Sequence, residues 1–529
     1  MGPEGTVSAL AVSGDEIVWA GDAADAERWI GPQTHVVELN GRTVVPGFAD
    51  AHIHLESLGR SLVDVDLVGS RSYAEVIERI VARAAELPEG TWITGRGWDQ
   101  NDWPEAVFPH HEALSRALPH HPVVMRRIGG HALLANAAAL EAAGIDRKTV
   151  APEGGHIHVD DSGAPTGVLV DNAMSLMGRV MPPTSREDRR RHVRAAVDHL
   201  HARGVTAVHD AGIPASSIDL YDDMARAGEL PLRVAVMVAA SEPELLDPQS
   251  EREWPTDDLT GDGLISVRAI KLSVDGALGS RGAALIEPYS DAPQTRGLVL
   301  VPEARTRQLV RFALEGDWQL CVHAIGDGAN RQVLDLFAAG LDAQPVDDHR
   351  FRIEHAQVLQ PDDLSRFAEL GVIPSMQAQH QTSDMPWAEE RLGPERITGA
   401  YAWRALLDTG VIIAGGSDAP VEQVDVAAVL HASVTRRDLD DHPIDGWYPD
   451  QAMTQEEALL SVTRWAAEAS FWEDRIGSLV VGKQADLVVL SLDPLACEPE
   501  QLKGMAVELT VFDGDVVFPL QSLAASRPE

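Results

Sequence analysis

The chain has 529 residues, of which 44% are hydrophobic and 24% charged, with a formal net charge of −39. That composition supports a large packed core and excludes wholesale disorder. So acidic a surface repels nucleic acid and anionic membranes, which removes both from the expected partners. Two cysteines, Cys321 and Cys497, make no disulfide framework, and a reducing compartment suits them. No apolar run approaches the roughly 18 residues of a membrane span. The N-terminal residues lack a basic stretch followed by an apolar one, so they do not read as a signal peptide, and a cytoplasmic protein is expected.

Along residues 1–46, short apolar runs alternate with turn residues, and strands are expected over 7–12, 16–20 and 36–39. From there the pattern changes to short β-branched runs, each followed by a longer stretch of helical period. Barrel strands are expected over 44–54, 205–209, 232–238, 267–273, 320–323, 351–355, 372–376 and 411–414. Helices are expected over 185–203, 303–315, 329–339 and 361–370. Eight such units close into a barrel. Residues 65–183 break the rhythm with a Trp-rich stretch (95–103), an Ala-rich helix (132–143) and a hairpin (154–170), and read as an insertion after the first strand, near the barrel mouth. The chain ends in strand-like runs over 485–490, 507–512 and 516–518, with Asp513-Gly514 as a tight turn. The fold class expected is α/β: a distorted (β/α)₈ TIM barrel (47–474) with a composite β-sandwich from both chain ends (1–46 plus 475–529).

The sharpest chemical signal is Pro46-Gly47-Phe48-Ala49-Asp50-Ala51-His52-Ile53-His54. Residues two apart on a strand share a face, so His52 and His54 aim together and can chelate one divalent cation. His156 and His158 have the same spacing, but they sit in a hairpin with no further ligand near in sequence. The doublets His110-His111 and His120-His121 face opposite ways on a strand. What separates His52 and His54 is their company. Lys271, His323, His355 and Asp418 each fall at the C-terminal end of a candidate barrel strand, where barrel enzymes place their chemistry. Each alone has a bland explanation: a structural histidine, a turn aspartate. Lys271 in an apolar strand is harder to explain that way, since lysine is rarely buried unpaired.

The pattern resembles the amidohydrolase superfamily, and within it the amidohydrolase-3 group that includes YtcJ-like proteins and N-substituted formamide deformylases. Matching stretches run from Gly41-Arg42-Thr43-Val44-Val45-Pro46-Gly47-Phe48 to Gly482-Lys483-Gln484-Ala485-Asp486-Leu487, nearly the whole chain. The usual opening strand is short or missing here. The resemblance implies two divalent metal ions, with zinc the first choice. His52 and His54 would hold one ion and His323 and His355 the other, and Asp418 would bind the first ion and contact the reactive water. It implies further that Lys271 reacts with carbon dioxide to a carbamate bridging both ions, since an ammonium has no lone pair to offer. The expected reaction is hydrolysis of a C–N bond in an amide, N-substituted formamide or cyclic amide by a metal-activated hydroxide, with Asp418 as the catalytic proton carrier.

Substrate contacts are expected from Trp98 and Asp99 in Gly95-Arg96-Gly97-Trp98-Asp99-Gln100, from His131 and Asn136, from Arg281 and from His380. The partner expected is a small amide-like molecule, and a homodimer is the default assembly. The competing readings are a deaminase or isomerase on the same metal site, against which Lys271 argues, and a non-catalytic scaffold, which should have lost ligands that this chain keeps. No phosphate-binding glycine loop supports a nucleotide-binding protein.

Overall fold

The computed structural model describes residues 5–128, 132–152, 155–247 and 250–519. These divide into two compact units: residues up to Leu55 together with Val197 onward, and Glu56–Ala196.

The first unit is built around eight parallel strands. Phe48–Ile53, Val205–Ile213, Arg233–Ala239, Ile265–Ser273, Gln319–Ala324, Arg352–His355, Ile373–Met376 and Ala414–Gly415 lie side by side in chain order. They are buried almost throughout, as parallel strands covered on both faces must be. The last strand returns to the first through backbone bonds: Asp418 N–H donates to His52 O at 2.7 Å and His54 N–H to Ala419 O at 2.9 Å. The barrel therefore closes at the residues singled out for chemistry. Helices Arg186–His201, Glu303–Glu315, Asp327–Ala343 and Pro361–Leu370 correspond to the four expected ones.

The run 44–54 is not one strand. Thr43–Pro46 pairs antiparallel with Leu487–Leu490, while Phe48–Ile53 enters the barrel. Gly47 is the joint. A Cβ there would lie 2.1 Å from Thr206 Oγ1, so only glycine lets the chain pass between the two sheets. The sandwich sheet runs Asp515–Phe518, Val507–Phe512, Leu487–Leu490, Thr43–Pro46, joining both chain ends as expected. A hairpin of Ala9–Ser13 and Glu16–Gly21 brings Leu10 against Leu487, Val489, Leu509 and Val511. The strand expected at 36–39 does not form; Val36 is exposed, and Leu39 alone packs on that cluster. Arg233, at the start of the third barrel strand, is buried and pairs with Asp486 at 2.8 Å and with Asp513, fastening sandwich to barrel.

The second unit holds a mixed sheet in the order Val65–Asp66, Ile93–Trp98, Val123–Arg127, Ala132–Ala135, Pro165–Asp171, Gly155–Val159. The hairpin expected at 154–170 is its outer pair. The helix expected over 132–143 is shorter: Ala132–Ala135 is a fully buried strand between two partners, and only Ala137–Ala142 is helical. Pairing on both edges overrides alanine's helix preference. Among the described residues, no helix is long and apolar enough to cross a membrane.

Candidate metal centre

His52 and His54 lie on and just after the first barrel strand with the parity that aims both inward. Asp418, beyond the eighth strand, meets them: its Oδ1 is 3.2 Å from His54 Nε2 and 3.7 Å from His52 Nε2. One ligand atom from each of these three residues lies within 4.8 Å of the others. His355, His380 and Asp418 form a second such group. The His323 ring sits 4.6 Å from that of His355, and Lys271 Nζ is 3.3 Å from His52 Nε2. Two members stand in left-handed backbone conformations, His355 at φ +74° and Asp418 at φ +57°. Such strain in non-glycine residues concentrates at functional sites.

The hydrogen bonds behind the rings set their orientation. His52 Nδ1 faces Glu354 Oε2 at 2.5 Å, His54 Nδ1 faces Ala211 O at 3.0 Å, and His355 Nδ1 faces Gln377 Oε1 at 2.7 Å. All three partners accept, so each Nδ1 carries the proton and each Nε2 keeps its lone pair for the centre, the usual arrangement for metal-binding imidazole. His380 is turned the other way: Gln357 Nε2 donates to its Nδ1 at 3.2 Å, which leaves the proton on Nε2, 3.7 Å from Asp418 Oδ2.

Burial pushes His52 down to about 4, and the nearby Lys271 adds to the effect, so the ring is neutral at physiological pH. Burial and the neighbouring His323 hold His355 far below its ordinary value. Burial also lowers Lys271, against the pull of Glu354 and Asp418. For Asp418 burial acts upward, but the close His54 ring and the other imidazoles around it prevail and hold its carboxyl well below the usual carboxylate range.

His323 Nε2, His380 Nε2 and Asp418 Oδ1 are buried without a well-directed hydrogen bond. Such orphans cost about 1–3 kcal/mol each unless something satisfies them. The Nε2 lone pairs of His52, His54 and His355 beside the Asp418 carboxylate fit a divalent cation of the zinc type.

The other candidate residues have local partners of their own. Trp98 is buried in the core of the second unit, donates from Nε1 to Met125 O at 2.8 Å and stacks on Trp103 at 5.9 Å. Asp99 pairs with Arg127 at 2.6 Å. Asn136 caps the helix Ala137–Ala142, accepting from Val123 and Ala139 N–H and donating to Leu118 and His121 carbonyls. Arg281 pairs with Asp291 at 2.7 Å, and Asp291 also binds Arg391. His131 lies outside the described residues. The rings of His156 and His158 are 4.6 Å apart, but neither belongs to a group of three ligands among the described residues.

Glu354, Arg352, Asp50 and Gln377 escaped the sequence analysis. The signal was present: in Arg352-Ile353-Glu354 two charges alternate with an apolar residue on a barrel strand, which marks the charges as inward-facing. The left-handed turn at His355 then suspends the alternation, so Glu354 and His355 both serve the centre.

The family model described as "Amidohydrolase family" matches residues 35–518. The chain is 33% identical to YtcJ of Bacillus subtilis (strain 168), over 93% of this chain and 92% of that protein. It is 29% identical to the N-substituted formamide deformylase of Arthrobacter pascens, over 96% and 94% of the two chains. Among solved structures, an uncharacterized metal-dependent hydrolase from Pyrococcus furiosus superposes with a TM-score of 0.77 at 28% identity, covering 92% of this chain and 96% of that one.

Proposed function

This chain belongs to the amidohydrolase family and is a hydrolase, and from that premise we propose that it cleaves a C–N bond in a small amide, with N-substituted formamides and cyclic amides the first substrates to test. The observation that carries the proposal is the convergence of His52, His54 and Asp418, with Lys271 Nζ 3.3 Å from the His52 ring. The resemblance to a relative named N-substituted formamide deformylase is the reason to test N-formyl amines first.

In this proposal His52, His54 and Asp418 hold one zinc ion and His355 and His323 a second. Lys271, as a carbamate, would supply oxygen ligands there, and its lowered basicity favours the neutral amine that carbon dioxide requires. A bound divalent pair supplies a water of low pKa and polarises the scissile carbonyl. Asp418, ionised and buried, accepts the proton of that water as its oxygen adds to the carbonyl carbon. As the C–N bond breaks, Asp418 returns the proton to the departing nitrogen, so that acid and amine leave with atoms balanced. His380 offers its Nε2–H beside Asp418 and is the substrate contact the geometry supports best, a donor to the carbonyl oxygen as charge develops there.

The test is elemental analysis of the purified protein together with a turnover screen over N-formyl, N-acyl and cyclic amides. About two equivalents of metal with amide cleavage is the expected result. One equivalent, with ammonia released from aminated heterocycles and no amide cleavage, would replace the proposal with a deaminase.

A further inference from the structure

Next to the ligand cluster the barrel interior holds a second buried polar assembly that the reaction does not use. Its hub is Arg352. Nη2 donates to Ala51 O at 2.6 Å, to Ser375 Oγ at 2.9 Å and to Glu354 Oε2 at 3.0 Å. Nε lies 2.8 Å from Glu354 Oε1, and Nη1 is 2.8 Å from His209 Nδ1. One guanidinium thus ties together the first, second, sixth and seventh barrel strands. Glu354, held from one side by Arg352, presents Oε2 to His52 Nδ1 at 2.5 Å. Arg352, Glu354 and His52 are each at most 1% exposed.

Burying such an ion pair contributes little net stability, because desolvation offsets the attraction. What it supplies is direction. A carboxylate can only accept, so Nδ1 must bear the proton and Nε2 must point its lone pair at Lys271 and Asp418. The two ligand groups are unequal in this respect. His52 is backed by a charged oxygen that also accepts from Arg352 Nη2, whereas His355 is backed by the neutral amide of Gln377.

We propose that Glu354 and Arg352 are positioning residues for one metal position: they hold His52 as an Nε2 ligand, so that the cation bound by His52, His54 and Asp418 depends on them and the cation at His355 does not. The proposal rests on the metal-centre reading above. Apo-protein is titrated with zinc against a chromophoric chelator, and the wild-type isotherm should show two classes of binding. In Glu354→Gln one class should weaken about 10- to 100-fold, the range for loss of a hydrogen-bond partner behind a ligand, with the other class within about 3-fold. Arg352→Lys keeps the charge but not the several guanidinium hydrogen bonds, and should weaken the same class by less than Glu354→Gln does. A folded Glu354→Gln protein with the wild-type isotherm overturns the proposal, as does equal weakening of both classes, which would mark the pair as structural. If wild-type protein takes up no zinc, the metal-centre reading itself fails. Should Glu354→Gln not fold, ¹⁵N-histidine spectra of zinc-loaded wild-type protein decide: an exchange-protected Nδ1–H on His52 supports the proposal, and an Nε2-protonated His52 overturns it.

Discussion

Asp50 accepts two hydrogen bonds from Ser417, one from the backbone N–H at 3.0 Å and one from the hydroxyl at 2.6 Å, and so clasps the first barrel strand to the eighth. Asp50 also accepts from His52 N–H at 3.1 Å, and Asp418 follows Ser417 directly. One buried carboxylate therefore sets the spacing between two metal-ligand candidates.

Ser417→Ala should lower stability by about 1–3 kcal/mol, because a buried carboxylate loses a hydrogen-bond donor. Urea unfolding measures the loss. Zinc affinity should fall with it, since His52 and Asp418 would no longer be tied to one clasp. An unchanged unfolding midpoint would show that the hydroxyl contributes nothing to the closure.

Asp418→Asn should reduce turnover by about 10²- to 10⁴-fold, the range for loss of a proton-transfer group. Its far-ultraviolet circular dichroism should match wild type. Removing metal with a chelator should abolish turnover in wild-type protein, and added zinc should restore it. Turnover surviving in Asp418→Asn would assign the proton transfer to another group.

Lys271→Ala should lose metal and activity together, because its methyl group offers no oxygen. A small carboxylate such as acetate, supplied in solution, should restore part of both by standing in for the missing carbamate. Lys271→Met, which fills the volume without an oxygen or a nitrogen, should behave like the alanine variant in the absence of acetate. Full activity in either variant without acetate would remove Lys271 from the centre.

The eight barrel strands and the convergence of His52, His54 and Asp418 were legible because each announces itself locally, by β-branched runs and by position at a strand end. Glu354 was not, because its partner His52 is 302 positions away and the His355 turn hides the parity of the strand. Trp98 and Asn136 have structural roles that their residue types did not announce. An aromatic in a loop-like stretch and a buried amide look like pocket residues, yet Trp98 completes an apolar core and Asn136 satisfies backbone groups within its own unit. Contacts across the fold, not residue type, decide between these roles.

Glu457 provides a pH-dependent test away from the site. Arg404 and the backbone and hydroxyl of Thr454 hold its carboxyl at about 2, overcoming the upward push of burial. A depressed carboxyl stabilises the fold fully above its unfolded value near 4.5, and the contribution fades as pH falls toward 2. Glu457→Gln should therefore cost about 1 kcal/mol at neutral pH, allowing for solvent screening of this partly exposed pair. The gap between wild type and variant should close on acidification. A gap that stays constant from pH 7 to pH 3 would assign the effect to the helix cap alone.

Gly416 shows how little room the closure has. A Cβ built there would stand 2.6 Å from His52 N and 2.7 Å from Asp50 Oδ1. The first contact is backbone and cannot swing away, so Gly416→Ala must push the first strand from the eighth or turn Asp50 out of its clasp. Overpacking of this kind typically costs about 1–3 kcal/mol. Here the displacement falls on His52 itself, so zinc uptake should fail before the fold does. Gly504→Ala supplies the contrast: nothing lies within 4 Å of its Cβ, and the change should stay within about 0.5 kcal/mol of wild type. If Gly416→Ala binds zinc as wild type does, the strands separate without disturbing the ligands, and barrel closure is not what holds the centre together.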